Sequence, residues 1–228
     1  MLDFRDAFAA EHGFELWVHH NEDGRRQGLD PITHGSVYTT VMRTDALKAA
    51  LDLGRYDVIF GGARLDEEAT RAKERVVSVR NRFHGWDPKN QRAEFGSLYN
   101  FRRSPGESLR VFALSNWTEH DLWAYIARER LSLCPLYFAR ERPVVLRDGQ
   151  RIVVDDAERA ARLGFGAPRL ERVRFRSLGC WPVTAADASQ SEDLSAVLRE
   201  TLASRRSERS GRVSDAGSLE GQKREGYS

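Results

Sequence analysis

A helical run and a strand run follow one another with almost no slack in the first quarter of the chain. "TDALKAALDLG", residues 44–54, sets Ala46, Leu47, Ala50 and Leu51 on one face, with Gly54 placed to close the helix. "YDVIFGG" then carries the apolar run Val58-Ile59-Phe60 into the pair Gly61-Gly62. Helices alternating with short apolar strands leave few ways to bury both. The expectation is an α/β fold with right-handed crossovers and a mainly parallel sheet covered on both faces.

Other stretches extend the pattern. "DFRDAFAAEHGF" reads as an amphipathic helix stopping at Gly13, and "FELWVHHN" has the β-branched and aromatic content of a strand. "LRVFAL" reads as a buried strand, and "SNWTEHDLWAYIARERL" as a helix that Thr118 can N-cap, with Asp121 three residues on. "PVVLRDGQRIVV" is a hairpin signal around Asp148-Gly149, read as an insertion on the α/β core. From Ser204 the composition turns to Gly, Ser and charge with almost no apolar residue, the mark of a polar tail. The expected organisation is one α/β domain over 1–203 and a tail over 204–228.

Composition narrows the class of function. No run of about 18 apolar residues occurs, so a membrane span is not expected and a cytoplasmic location is. Cys134 and Cys180 stand apart without ligand spacing, which argues against a disulfide framework or a structural zinc site. The 36 Lys and Arg nearly balance 34 Asp and Glu, so no global field draws nucleic acid, and any anion site has to be local.

One stretch supplies such a site. In open α/β sheets ligands sit beyond the carboxyl ends of strands, where Gly61-Gly62 lies. Residues 61–92 hold eight basic residues against five acidic ones. Asp66 is placed to cap a helix from Glu67. That helix would bury Ala69, Ala72 and Val76, with Val79 and Phe83 continuing the stripe, and would project Arg64, Arg71, Lys73 and Arg75 from its polar side. Gathered guanidinium groups suit phosphate or sulfate; a solvated helix face laced with i,i+4 pairs is the plainer alternative. "RFHGWDPKNQR" adds His84, Trp86 and Lys89, a composition suited to a ligand-lining loop, although His84 alone suits a structural role and Trp86 alone suits a core. Farther on, "RVRFR" as a strand points Arg172, Arg174 and Arg176 to one side, either toward acidic neighbours such as Asp155, Asp156 or Glu158, or toward an anion or a subunit. Cys180, with no activating neighbour in sequence, reads as a small packing residue.

Taken together, "GGARLDEEATRAKER", "HGWDPKNQR", "VFALSNWTEHDLWAYI", "CPLYFARERPVV" and "VRFRSLGCWPVT" resemble the small, ATP-binding subunit of bacterial heterodimeric sulfate adenylyltransferases, from Asp3 to Tyr227. The resemblance implies an adenine-nucleotide-hydrolase-like fold and formation of adenosine 5′-phosphosulfate and pyrophosphate from ATP and sulfate. Mg²⁺ would accompany ATP, and a GTPase large subunit would be the partner. On that reading Arg64, Arg71, Lys73 and Arg75 serve the reaction, and Gly61, Gly62, Glu67, His84, Trp86 and Lys89 line the nucleotide site. The family's Ser-Gly-Gly-Lys-Asp-Ser-type pyrophosphate loop is not in this sequence, with Met1 aligning just beyond it. The resemblance therefore leads to an expectation of little activity from this chain alone, and leaves a non-catalytic, GTPase-binding subunit as the alternative. A related phosphosulfate reductase would need a C-terminal Glu-Cys-Gly-x-His thiol, and no Cys follows Cys180.

Overall fold

The computed structural model describes residues 1–67 and 71–204, with Arg159 as backbone only. The expected tail, from residue 205 onward, lies outside the described residues. The chain forms two compact units, one of residues 19–119 and one of 1–18 with 120–204.

In the 19–119 unit, α2 (Glu22–Arg26) and α3 (Gly35–Thr39) precede a π-helical turn, Thr40–Asp45, that runs directly into α4 (Ala46–Gly54). Asn21 caps α2, its side chain accepting the Gly24 N–H. The left-handed residue closing α4 is Arg55, at φ 49°, and Gly54 is the last helical position. A Cβ at Gly54 would lie 2.1 Å from the Tyr56 ring, so this glycine is needed for packing and not for the turn.

Three strands follow: β1 (Val58–Phe60), β2 (Val77–Arg80) and β3 (Ser108–Val111), ordered β1-β3-β2. β1 pairs with β3 in parallel, Ile59 opposite Arg110. β2 pairs with β3 antiparallel, Ser78 opposite Arg110. Among the described strands the parallel arrangement is thus confined to one pair. The α/β class holds, but the helix expected from Glu67 does not continue through Ala72 and Val76. Leu65–Glu67 is a single 3-10 turn, and Val77–Arg80 is extended because three β-branched valines within Val76–Val79 favour a pleated backbone over a helix. In the expected stripe Val79 is buried, but Ala72 and Phe83 are exposed and Ala69 lies outside the described residues.

This small sheet has two unlike faces. Val77, Val79, Leu109 and Val111 form a dry cluster on one. On the other, Ser78, Arg80 and Arg110 are equally buried. The outer edge of β2 is covered by side chains in place of a fourth strand. The Glu94 carboxylate accepts the N–H groups of Val76 and Val77 at 3.1 and 2.7 Å, and Gln91 accepts that of Val79 at 2.8 Å while donating to its carbonyl at 3.2 Å. An edge that would otherwise expose unpaired donors is closed this way.

The other unit opens with α1 (Leu2–His12), ended as expected by Gly13 at φ 68°. No strand forms over residues 14–21, where Phe14, Leu16, Trp17 and Val18 remain exposed. β-rich composition makes a chain extended, but a strand also needs a ladder partner, and none pairs here among the described residues. α5 (Glu119–Glu129) begins immediately after Thr118, as the sequence indicates. The hairpin forms too: β4 (Arg140–Arg147) and β5 (Gln150–Val153) flank Asp148 and Gly149, both at positive φ, 49° and 75°. It belongs to an antiparallel sheet ordered β5-β4-β6-β7, completed by β6 (Arg169–Arg174) and β7 (Asp187–Ala188). Alternation along the hairpin packs Val145 and Ile152 with Val154, Ala160 of α6 (Ala157–Arg162) and Ala185 on one face, and Val144, Val153, Val173 and Ala186 on the other. A third cluster joins Trp123 and Ile126 to Val197 of α7 (Leu194–Ala203). Among the described residues no helix is long and apolar enough to cross a membrane.

Candidate active site

Because β1 and β3 are parallel and β2 opposes them, three connections meet at one edge of the small sheet. Gly61-Gly62 leaves β1, Phe112–Ser115 leaves β3, and Arg71–Val76 leads into β2. Two hydrogen bonds hold these connections together. The Leu65 N–H donates to the Ser115 carbonyl at 2.9 Å, and the Glu119 N–H donates to Oδ2 of Asp66, also at 2.9 Å. Asp66 therefore caps a distant helix start and not the neighbouring one expected of it. Between the connections opens a cleft of about 250 Å³ whose walls include Leu65, Glu74, Arg75, Tyr99, Ser115 and Asn116.

Behind the cleft lies a chain of buried charges. Arg64 meets Oε1 of Glu67 at 3.7 Å, and Arg71 meets Oε2 of the same carboxylate at 3.1 Å. Arg71 also reaches Oε2 of Glu74 at 3.5 Å, and Arg80 holds Oε1 of Glu74 at 2.9 Å. Arg80 in turn donates to the Ser78 hydroxyl at 2.6 Å. Arg64, Arg71 and Glu74 are each at most 7% exposed, and Arg80 is wholly inaccessible.

Burying guanidinium groups beside one another lowers their proton affinity. Desolvation pushes the Arg80 pKa down and Arg71 adds to the fall, while Glu74 opposes it. Arg110, across the ladder from Ser78, is lowered to about 10 by burial and then by Arg80, with Glu74 again opposing. At about 10, Arg110 remains a cation at neutral pH. Glu74 is the carboxylate that steadies both arginines.

Residues 1–186 match the phosphoadenosine phosphosulfate reductase domain family. The chain is 57% identical over 231 residues to sulfate adenylyltransferase subunit 2 of Methylorubrum populi, covering 100% of this chain and 74% of that protein. It is 56% identical, over 231 residues, to the Brucella anthropi protein of the same name, covering 100% of this chain and 75% of the relative. The chain belongs to the sulfate adenylyltransferase subunit 2 family. At this identity the family assignment favours neither the reductase reading nor the non-catalytic one.

For this member of the subunit 2 family, the residues singled out by sequence fall into four places. Arg64, Glu67 and Arg71 come together in the buried cluster, Glu67 acting as the brace between the two arginines. Arg75 lines the cleft, and Lys73 is exposed beside it. Gly61 is closed over by the Phe112 ring, whereas a side chain at Gly62 would meet nothing within 4 Å. His84, Trp86 and Lys89 follow the far end of β2, away from the glycine pair. His84 binds Asp52 of α4 through Nε2 at 2.9 Å, Trp86 is buried, and Lys89 is exposed. Arg172, Arg174 and Arg176 lie in the other unit, and the acidic partners of Arg172 and Arg174 there are not Asp155, Asp156 or Glu158. Arg172 pairs with Glu192, Arg174 with Glu200 at 2.9 Å, and Arg176 donates to the Ser204 hydroxyl at 3.0 Å. Both cysteines are free, Cys134 buried and Cys180 half-buried.

Sequence reading passed over Glu74, Arg80 and Arg110. A period-two signal was present: in "VSVR" and "LRV" a polar residue alternates with apolar ones inside a buried strand, and a charge in that position needs a partner.

Proposed function

We propose that this chain serves in sulfate activation, transferring the adenylyl group of ATP to sulfate with release of pyrophosphate, in a complex with a second, GTP-hydrolysing subunit. The observation that carries the reading is the cluster Arg64–Glu67–Arg71–Glu74 at the carboxyl end of the parallel pair β1–β3. It is supported by the names of the relatives, which are adenylyltransferases of sulfate and are numbered as second subunits.

Sulfate and ATP repel one another, and an in-line attack of a sulfate oxygen on the α-phosphorus adds charge at the departing pyrophosphate. Positioning and fixed positive charge therefore do most of the work, with no covalent intermediate. Arg71, held by two carboxylates, is oriented before any substrate arrives. Arg75 supplies charge at the cleft, with the exposed Lys73 two residues away, and Gly62 leaves the backbone open to a phosphate. Mg²⁺ fits as an ion carried on ATP oxygens. The cleft carboxylates are engaged, Glu94 by two backbone donors and Glu74 by two arginines, and no cluster of three or more metal-ligating side chains exists among the described residues. In the other unit Arg176 and Arg151 border a second cleft of about 290 Å³ together with Asp187 and Glu200, so its two arginines are matched there by two carboxylates.

The test is sulfate-dependent pyrophosphate release from ATP by the full chain with its partner subunit. Arg71→Ala should lose about 2–4 kcal/mol of transition-state stabilisation while keeping its circular dichroism spectrum. Turnover within twofold of wild type would remove the site from this edge of the sheet.

A further inference from the structure

We infer that Glu74 is a positioning residue, whose carboxylate, held from behind by the buried Arg80, fixes the Arg71 guanidinium for a phosphate or sulfate oxygen in the cleft. The inference rests on reading that cleft as the ATP and sulfate site, and assigns it a supporting layer.

Three observations converge. Glu74 spans two environments, lining the cleft with its body while its carboxylate turns inward to Oε1–Arg80 and Oε2–Arg71 contacts of 2.9 and 3.5 Å. The far end of this relay is rigid. Arg80 sits on β2, is 0% exposed, and its second amino group is fixed by the Ser78 hydroxyl on the same strand face. The near end lies off the sheet. Arg71 belongs to the connection between β1 and β2, and Glu74 ties it to the strand residue Arg80. A carboxylate anchored to a strand and gripping a loop arginine transfers the order of the sheet to the loop. The lowered proton affinity of Arg80 and Arg110 fits this arrangement, since Glu74 offsets the burial of both.

The alternative is that Glu74 merely neutralises Arg80 and has no bearing on substrate. A double-mutant cycle separates the two, because residues acting as one unit give non-additive effects. Calorimetric titration of Mg-ATP into the full chain is the readout, with wild type, Glu74→Gln, Arg71→Ala and the double variant. Each single variant should weaken ATP about tenfold, and the double variant should be no weaker than Arg71→Ala. Multiplied losses in the double variant, or unchanged affinity in Glu74→Gln, would overturn the positioning role. Absence of saturable ATP binding in wild type would instead overturn the nucleotide-site reading beneath it. If Glu74→Gln loses its near-UV spectrum, Glu74→Gln with Arg80→Met removes both buried charges at once. That pair should show the same tenfold loss, and wild-type affinity in it would refute the inference.

Discussion

The ring of Phe112 lies over the Cα of Gly61 so closely that a Cβ at that position would stand 2.9 Å from ring carbon Cε1. Phe112 is 4% exposed and has little freedom to retreat. The two adjacent glycines therefore have different uses. Gly61→Ala should destabilise the unit by about 1–3 kcal/mol through overpacking. Gly62→Ala should stay within about 0.5 kcal/mol of wild type in stability and weaken ATP binding. Urea unfolding and nucleotide titration of the two variants check the contrast.

Closure of the β2 edge by side chains should be visible residue by residue in amide exchange. Glu94→Ala should speed exchange at Val76 and Val77, and Gln91→Ala at Val79, because those are the N–H groups each side chain holds. The charged acceptor should matter more, at about 1.5–3 kcal/mol against about 1 for the amide. Unaltered exchange at all three amides would mean the edge is protected by something else.

Acid sensitivity should trace in part to Glu200. Burial raises its pKa, but the hydroxyls of Ser189 and Ser191 and the Arg174 guanidinium outweigh that and hold it below the ordinary 4.5. A carboxyl with a depressed folded pKa contributes stability that is fully present above the unfolded value and is lost as pH falls through the folded one. Glu200→Gln should therefore unfold more readily than wild type at pH 7 and show a shallower loss of stability below about pH 4.5. A residual slope should remain from Glu107 and Asp30, whose pKa values are also lowered. Thermal midpoints measured across that range decide the point.

The hairpin offers a conformational test. Gly149, at φ 75°, has open space around its Cα, so Gly149→Ala meets no clash and should cost about 1 kcal/mol from backbone strain alone. A loss well above that, in denaturant titration, would point to a contact not visible at this turn.

What could be read from sequence was set by local signals. The α1 stop at Gly13, the α4 face and the Asp148-Gly149 turn depend on residues within one or two turns of chain, and all formed. The stretch from Ala72 misled because Ala72 and Val76 imitate a helical stripe, while the valines that follow obey the strand's preference. Arg64 and Arg71 were legible as a basic cluster. Their carboxylate braces were not, because Glu74 acquires its meaning only when β2 folds back beside β3 and brings Arg80 and Arg110 under it. His84, Trp86 and Lys89 show the same limit in reverse. They are near the arginines in sequence, but antiparallel β2 carries them to the opposite end of the sheet.

The two-faced sheet also settles how the molecule responds to its ionic surroundings. Dissolved ions weaken the attraction between charges that water can reach, over a Debye length of about 8 Å at physiological salt. Pairs such as Arg128–Glu129, with side chains 72% and 41% exposed, are of that kind. Arg80 and Glu74, at 0% and 4%, are not, since no counter-ion can come between them. Surface charge on this chain will fade as salt is added, while the arginine ladder beneath the cleft keeps its order.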